Sequence, residues 1–392
     1  VLKSYKHRIY PTKEQAILID KHIGACRFVY NLALETKNYA YITQKKNVSC
    51  IDLINQLPSL KMQCEWLKEV DSQSLQQSII NLDKAFTQFF KHGANFPNFK
   101  KKSGSTQSFR SPHAKTINID GNKIFIPKFK SGIKIVRERE FVGGIKSATI
   151  SKTSTGKYFV SILVDNKKEL PLKKEVKSTN AIGIDLGVSN FIITSDGNKI
   201  DNPKYLRNSL SRLKVLQRRL SRKKKGSTNK KKAYKKIAIM HEKVANKRKD
   251  FLHKLSTQLI NNHDTLCMED LNIIGMVKNH KLALSISDAG WGMFVEFCKY
   301  KAEWNGKNIL QIPTFEPSTK VCSCCGTINK TLTLANREWI CANCGTEHDR
   351  DTNAAKVIKQ YCLTKYSPDA IGGEPVELLT LVGAMKQENI NT

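Results

Sequence analysis

The chain has 392 residues, 66 Lys and Arg against 34 Asp and Glu, and a formal charge of +32. That length suits two or three domains, a hydrophobic content of 40% excludes a disordered or fibrous polymer, and no apolar run approaches the roughly 18–20 residues of a membrane span. Self-repulsion at this charge works against compactness, so an anionic partner is expected, with nucleic acid ahead of an anionic membrane surface.

In chain order, Tyr5 to Tyr10 reads as a short extended piece, followed by Pro11-Thr12-Lys13-Glu14-Gln15. Thr12 and Gln15 are spaced as a capping box, so a helix starts there. Mixed apolar and polar spacing up to about Phe90 predicts several helices with short breaks. From Asn95 the texture changes. Ile117 to Ile119, a turn at Asp120-Gly121-Asn122, and Ile124 to Ile126 predict a hairpin. Lys157 to Val164 alternates at period two and predicts a strand. Residues 95–165 are therefore expected to form a small β-barrel or sheet, with the helices inserted before it. Phe96, Phe99, Lys100, Lys101, Lys102, Phe109 and Arg110 interleave aromatics with cations, a pattern that serves a nucleic-acid surface or a barrel core equally.

Residues 166–179 are charged, contain Pro171 and read as a linker. Asn180 to Gly187 then predicts a buried strand, and Asn190 to Gly197 a second one ending in an Asp-Gly turn. Leu206, Leu210, Leu213, Leu216 and Leu220 recur at helical spacing; past a break at Gly226, so do Ile237, Met240, Val244, Phe251, Leu255 and Leu259. A helical hairpin with one apolar stripe follows. Its outer face is basic: residues 201–250 hold 19 Lys and Arg against Asp201, Glu242 and Asp250, half of the net charge. A merely solvated face mixes its signs, and this one hardly does. Thr265 to Met268 predicts a short strand ending at Glu269-Asp270. Ser287 or Asp288 is placed to cap a helix that buries Trp291, Phe294, Val295, Cys298 and Ala302, and Ile309 to Ile312 is the last strand. Strands alternating with long helices make the second half α/β. Beyond about Gln360 periodicity fades, and a loose tail is expected.

Eleven cysteines raise the question of disulfides, yet four stand in two pairs, Cys322-x2-Cys325 and Cys341-x2-Cys344, with 15 residues between. That is the spacing of a four-thiolate zinc ribbon, with Gly326 and Gly345 easing the turn after each pair. Reduced thiols and a metal account for it better than disulfides. With no apolar signal core in Val1 to Arg8, a cytosolic protein is expected. Cys324 is a bystander or a competitor for the place of Cys322. A closed four-sulfur site leaves no open position for substrate, so this zinc would be structural. Three acids also stand out. Asp185 lies within an apolar strand, where an unpaired charge is costly. Glu269 ends another strand, and Asp351 sits at the start of a predicted helix. Each alone reads equally as a cap, a turn or an ion pair; together they are candidates for a divalent-cation site on phosphate.

At these residues a family resemblance emerges. Ile182-Gly183-Ile184-Asp185-Leu186-Gly187 resembles the first motif of a RuvC-like, RNase H-fold nuclease domain, and Met268-Glu269-Asp270-Leu271 the second. The ribbon followed by His348-Asp349-Arg350-Asp351-Thr352-Asn353-Ala354-Ala355 resembles the third. In that order, with the opening Tyr10-Pro11-Thr12-Lys13-Glu14-Gln15, the chain is similar to the TnpB family of transposon-encoded proteins, relatives of type V CRISPR effectors. A miniature type V effector would share every motif.

The resemblance implies an α/β RNase H-like nuclease domain over 180–318 and 348–362, with a zinc ribbon inserted at 319–347. It implies a β-barrel wedge domain from 1–11 and 91–170 that carries a helical recognition domain, 12–90, and it leaves 363–392 as the loose tail. The implied function is an RNA-guided DNA endonuclease, acting in the cytoplasm at the nucleoid. Its partners would be a guide RNA from the transposon end and target double-stranded DNA beside a short flanking motif, with no membrane. Asp185, Glu269 and Asp351 would be the catalytic carboxylates, holding two magnesium ions for in-line hydrolysis, while Cys322, Cys325, Cys341 and Cys344 hold zinc. Arg350 would contact the scissile phosphate or pair with Asp349. Arg218, Arg219, Lys223, Lys224, Lys225, Lys231 and Lys232 would face nucleic-acid phosphates. The alternatives are a nuclease-independent nucleic-acid-binding regulator and a strand-joining transposase using the same acids.

Overall fold

The computed structural model describes residues 1–103, 106–313, 318–333 and 336–366; the part of the expected tail beyond 366 lies outside the described residues. The chain divides into two units, with the boundary between Glu169 and Leu170, inside the predicted linker.

In the first unit, β1 (Leu2–Tyr10) is followed by α1 (Lys13–Gln44), α2 (Cys50–Asn55), α3 (Leu57–Gln63) and α4 (Ser72–His92). Six strands complete it: β2 (Thr106–Ser111), β3 (Asn118–Asp120), β4 (Lys123–Phe125), β5 (Ile133–Val136), β6 (Gly144–Thr153) and β7 (Tyr158–Asp165). They pair antiparallel with β1 in the order β2-β6-β7-β1-β5-β4-β3. The helices are thus an insertion between a central strand and the rest of its sheet. The capping box forms: the Thr12 hydroxyl accepts from the Gln15 N–H, and the Gln15 side chain accepts from the Thr12 N–H. The Gln15 amide also donates to the Gly132 carbonyl at 2.7 Å, so the signal that starts α1 ties it to the sheet. His22 is buried between them. Its Nδ1 lies 2.8 Å from the Leu18 carbonyl, its Nε2 accepts from the Asp71 N–H at 3.1 Å, and its ring stacks on Phe109. Burial holds its pKa below the usual histidine range. The interleaved aromatics split: Phe109 is core, while Phe96 and Phe99 are exposed.

The second unit is built on β8 (Ala181–Leu186), β9 (Asn190–Thr194), β10 (Lys199–Asp201), β11 (Thr265–Glu269) and β12 (Asn308–Ile312). Their order is β10-β9-β8-β11-β12, antiparallel on the β10 side and parallel from β8 through β12. Between β10 and β11 runs the hairpin of α5 (Tyr205–Ser221) and α6 (Thr228–Asn262); between β11 and β12 lie α7 (Ile273–Val277), α8 (Ala283–Ala289) and α9 (Trp291–Trp304). A two-stranded hairpin, β13 (Glu338–Ile340) and β14 (Glu347–Asp349), leads into α10 (Arg350–Tyr366).

Strand alternation decides what each face of this sheet does. Ile182 and Ile184 of β8, with Leu266 and Met268 of β11, pack into one core with Leu252, Leu255 and Leu259 of α6 and with Trp291 and Phe294 of α9. The residues between them, Gly183 and Asp185 on β8 and Cys267 and Glu269 on β11, face the other way. There Cys267 packs with Ile358 and Cys362 of α10.

Three sequence expectations change. The helix after the third motif does not end near Gln360: α10 runs to Tyr366, with Cys362 packed on the sheet and Leu363 also buried, so 363–366 belong to the helix and not to a tail. Asp288 does not cap α9. It lies inside α8, whose chain turns at Gly290 (φ +74°) before α9, and its buried carboxylate accepts from the N–H groups of Leu206 and Arg207 at 2.9 Å each. It therefore caps α5 from some 80 residues away, where Lys204 offers no side-chain cap. Arg248 completes the arrangement at 3.0 Å. Arg350, finally, does not pair with Asp349 but with Asp351.

Candidate active site

Asp185 and Glu269 come together because β8 and β11 are adjacent parallel strands in register, with Ile184 beside Met268. The next residue on each strand is an acid, and both project from the face opposite the α6–α9 core, at the same ends of their strands. Helix α10 packs on that face and brings Asp351 on its first turn. Gly183 permits the approach: a Cβ there would stand 1.9 Å from the Ala355 carbonyl oxygen. A glycine inside an apolar strand signals such a contact, and it was the available sequence clue to this packing.

The electrostatics of the three acids follow from that crowding. Burial, then the charges of Glu269 and Asp351, push Asp185 up to about 7, against the opposing pull of Arg350. Burial also raises Glu269, whose Oε1 accepts from the Ser318 hydroxyl. Asp351 is gripped by two guanidinium groups: Arg350 donates to Oδ1 at 2.8 and 2.9 Å, and Arg337 donates to Oδ2 at 2.9 Å. Asp349 has a different task. Its carboxylate accepts from the Thr352 N–H at 2.9 Å, capping α10, and pairs with Lys199 at 2.6 Å. Ser318 and Arg337 were not singled out from sequence, since no spacing rule links them to acids so far along the chain.

The four cysteines gather as well. Each pair sits on the same backbone turn: the Cys322 N–H donates to the Thr327 carbonyl and the Cys341 N–H to Thr346, both at 2.9 Å. Gly326 and Gly345 take left-handed φ of +75° and +71° at the end of each turn. Cys322 Sγ is 3.7 Å from Cys344 Sγ, and Cys325 Sγ is 3.6 Å from Cys341 Sγ. Thiolates about 2.3 Å from a zinc ion at tetrahedral corners stand about 3.8 Å apart, so the set fits that metal. Among the described residues, these are the one group of three or more potential ligands whose atoms all lie within 4.8 Å. The carboxylate trio is spread more widely. Cys324 is exposed and outside the cluster.

The basic hairpin is as the charge pattern predicts. Arg218, Arg219, Lys223, Lys224, Lys225, Lys231 and Lys232 are all exposed, and the apolar stripe turns inward, with Leu213 and Val244 buried.

Three family profiles match the chain: "Probable transposase" over residues 160–280, "Cas12f1-like, TNB domain" over 291–358 and "Helix-turn-helix domain" over 1–46. The last span is here a strand and one continuous helix, β1 and α1. A Streptomyces pristinaespiralis protein, provisionally named an RNA-guided DNA endonuclease, is 37% identical over 91% of this chain and 89% of its own length. An Escherichia coli K12 protein with the same provisional description is 32% identical over 91% of each chain. A mimivirus TnpB-like protein is 24% identical over 91% of this chain and 72% of its own. Among solved structures, the Cas12f1 chain of a Cas12f1–sgRNA–target DNA complex shares the fold, with a TM-score of 0.57 at 13% identity over 92% of this chain and 98% of that one. On the strength of this full-length kinship, the chain belongs to the TnpB family.

Proposed function

We propose that the protein is an RNA-guided DNA endonuclease that hydrolyses target DNA beside a short flanking motif, using Asp185, Glu269 and Asp351. The observation that carries this reading is the convergence of three acids, 84 and 82 residues apart in sequence, on one face of the second sheet, where burial and then mutual repulsion already raise Asp185. An acid whose pKa is raised toward neutral pH by burial and neighbouring charge is characteristic of a functional site. Three carboxylates are a hard oxygen donor set of the kind that holds magnesium. When bound, two such ions supply charge stabilisation on the scissile phosphate and an activated water.

The chain's own residues do the rest. β8 and β11 fix two of the acids on rigid strands, Ser318 orients Glu269, and Arg337 with Arg350 orients Asp351. The second sheet with α10 is the RuvC-like, RNase H-like domain on this reading, and the four thiols hold a structural zinc. The first unit supplies the wedge from its seven strands and the recognition helices from α1 to α4. A cleft of about 490 Å³ there, lined by Arg27, Gln77, Asn81, Lys101, Gln107 and Arg110 among others, offers amide and guanidinium groups suited to base edges and phosphates. The exposed cations of α5 and α6 would follow the phosphates of the guide RNA, made from the transposon end, and of its hybrid with DNA.

The test is to purify the protein with its native locus, sequence the RNA it carries, and supply DNA matching the variable end. Cleavage leaving 5′-phosphate and 3′-hydroxyl ends, abolished by Asp185→Ala while RNA is retained, is the expected result. Discrete RNA without cutting would favour a binding regulator, and joined strands a transposase; either would overturn the reading.

A further inference from the structure

We propose that Asn353 is a positioning residue, making the placement of Asp351 depend on whether the four-cysteine ribbon holds its metal. The inference rests on the three-carboxylate reading above and adds to it a dependence of one metal site on the other. Asn353 stands two residues beyond Asp351 on the first turn of α10 and is 1% exposed. Its Oδ1 accepts from the Ser323 N–H at 2.9 Å, and its Nδ2 donates to the Val321 carbonyl at 2.6 Å. Those two backbone groups flank Cys322. One buried carboxamide therefore spans the first thiol turn and fastens it to the helix that carries the acid.

Two further contacts run the same way. His348 Nε2 lies 3.0 Å from Cys322 Sγ, with its ring against Trp339, and the Arg350 N–H donates to the Arg337 carbonyl at 2.8 Å. Asp185 is held by neighbouring strands instead, and Glu269, on a strand as well, meets the approach to the ribbon only at the Ser318 hydroxyl among the described residues. A thiol turn keeps its shape while its metal is bound and loosens when four crowded sulfurs must share the space alone. Loosening moves Val321 and Ser323, and through Asn353 the first turn of α10. Ligand groups must hold their place to within about 0.5 Å for a productive site, and removing an outer partner of a metal ligand weakens metal binding about 10- to 100-fold.

Manganese(II), followed by electron paramagnetic resonance, is the probe for the carboxylates, with ribbon metal counted by elemental analysis on the full chain carrying its RNA. Stripping the ribbon metal from wild type with a chelator, then dialysing, should weaken manganese binding about tenfold. Asn353→Ala with its ribbon metal retained should show a similar loss, and stripping it should add little, since the connection is already broken. Asn353→Asp keeps the acceptor for Ser323 but not the donor to Val321, so it should fall between, and it carries the comparison if Asn353→Ala does not fold. Manganese affinity equal to wild type in a metal-loaded Asn353 variant overturns the inference. So does an equal loss on stripping in wild type and variant. Manganese binding that ignores Asp185→Asn sinks the carboxylate reading and this inference with it, whereas sensitivity to Asp185 but not Asn353 sinks this inference alone.

Discussion

Replacing Asp185 by Asn should stabilise the second unit in metal-free buffer while abolishing cutting. In the folded chain burial, reinforced by Glu269 and Asp351, raises this carboxyl from 3.8 to about 7, so the native state holds a proton that the unfolded chain has released. For an acid raised in this way stability falls as pH rises between the two values, and the full penalty is present above pH 7. The shift corresponds to at most about 4 kcal/mol. Because Asp185 retains partial solvent access, about 2 kcal/mol is the working figure, or a rise of roughly 4–8 °C in melting temperature for a unit of this size. Asn removes the charge and keeps the shape. The gain should therefore be complete at pH 8, shrink through pH 6 and vanish near pH 4. Added magnesium should reverse the ranking, stabilising wild type and leaving Asp185→Asn unchanged. Thermal melts of both proteins across this range, with the ribbon metal retained, first without added divalent ion and then with magnesium, provide the assay. A gain independent of pH, or no gain at pH 8, would refute the argument that burial and the neighbouring acids raise Asp185 in the folded state.

Gly183→Ala should cost about 3 kcal/mol or more, since its Cβ would meet the Ala355 carbonyl at 1.9 Å and α10 must retreat; a melting temperature within about 1 °C of wild type would contradict that packing. Cys341→Ser should lower both the bound metal and the melting temperature, and metal loss with unchanged melting would show that the ribbon needs no ion. Asp288→Ala should cost about 3 kcal/mol by leaving Arg248 unpaired and the first turn of α5 uncapped, measured by denaturant unfolding; a cost under about 0.5 kcal/mol would mean that water replaces the carboxylate.

Local signals carried much of this architecture. Alternation in Ile182-Gly183-Ile184-Asp185 and in Leu266-Cys267-Met268-Glu269 is enough to put both acids on the face opposite the apolar core, and Thr12 with Gln15 marks the start of α1 to the residue. The cysteine spacing likewise foretells a cluster whose thiols do converge. What sequence hides is long-range pairing. β1 lies between β5 and β7, more than 120 residues away, and no local pattern selects those neighbours. Asp288 looked like a local cap because Asp precedes an apolar helix, yet its carboxylate serves a helix start 80 residues back. The end of α10 is hidden for a related reason: Cys362 owes its burial to a sheet formed elsewhere, not to a strong stripe of its own helix.

The contrast between the chain and its site supports the proposed cation there. A molecule with net charge +32 has cations to spare, and pairing each acid with one would have been the stable solution. At Asp351 that solution is adopted, with both oxygens on guanidinium groups. At Asp185 and Glu269 no such pairing is seen among the described residues: the first is raised by burial and by its neighbours, and the second accepts from a neutral hydroxyl, that of Ser318. Keeping two carboxylates underpaired in so basic a chain costs stability. Such a local conflict persists where function needs it. On the proposed reading that negative charge lies where adjacent strands hold it, so a divalent ion entering there would gain electrostatic energy without having to reorganise the protein.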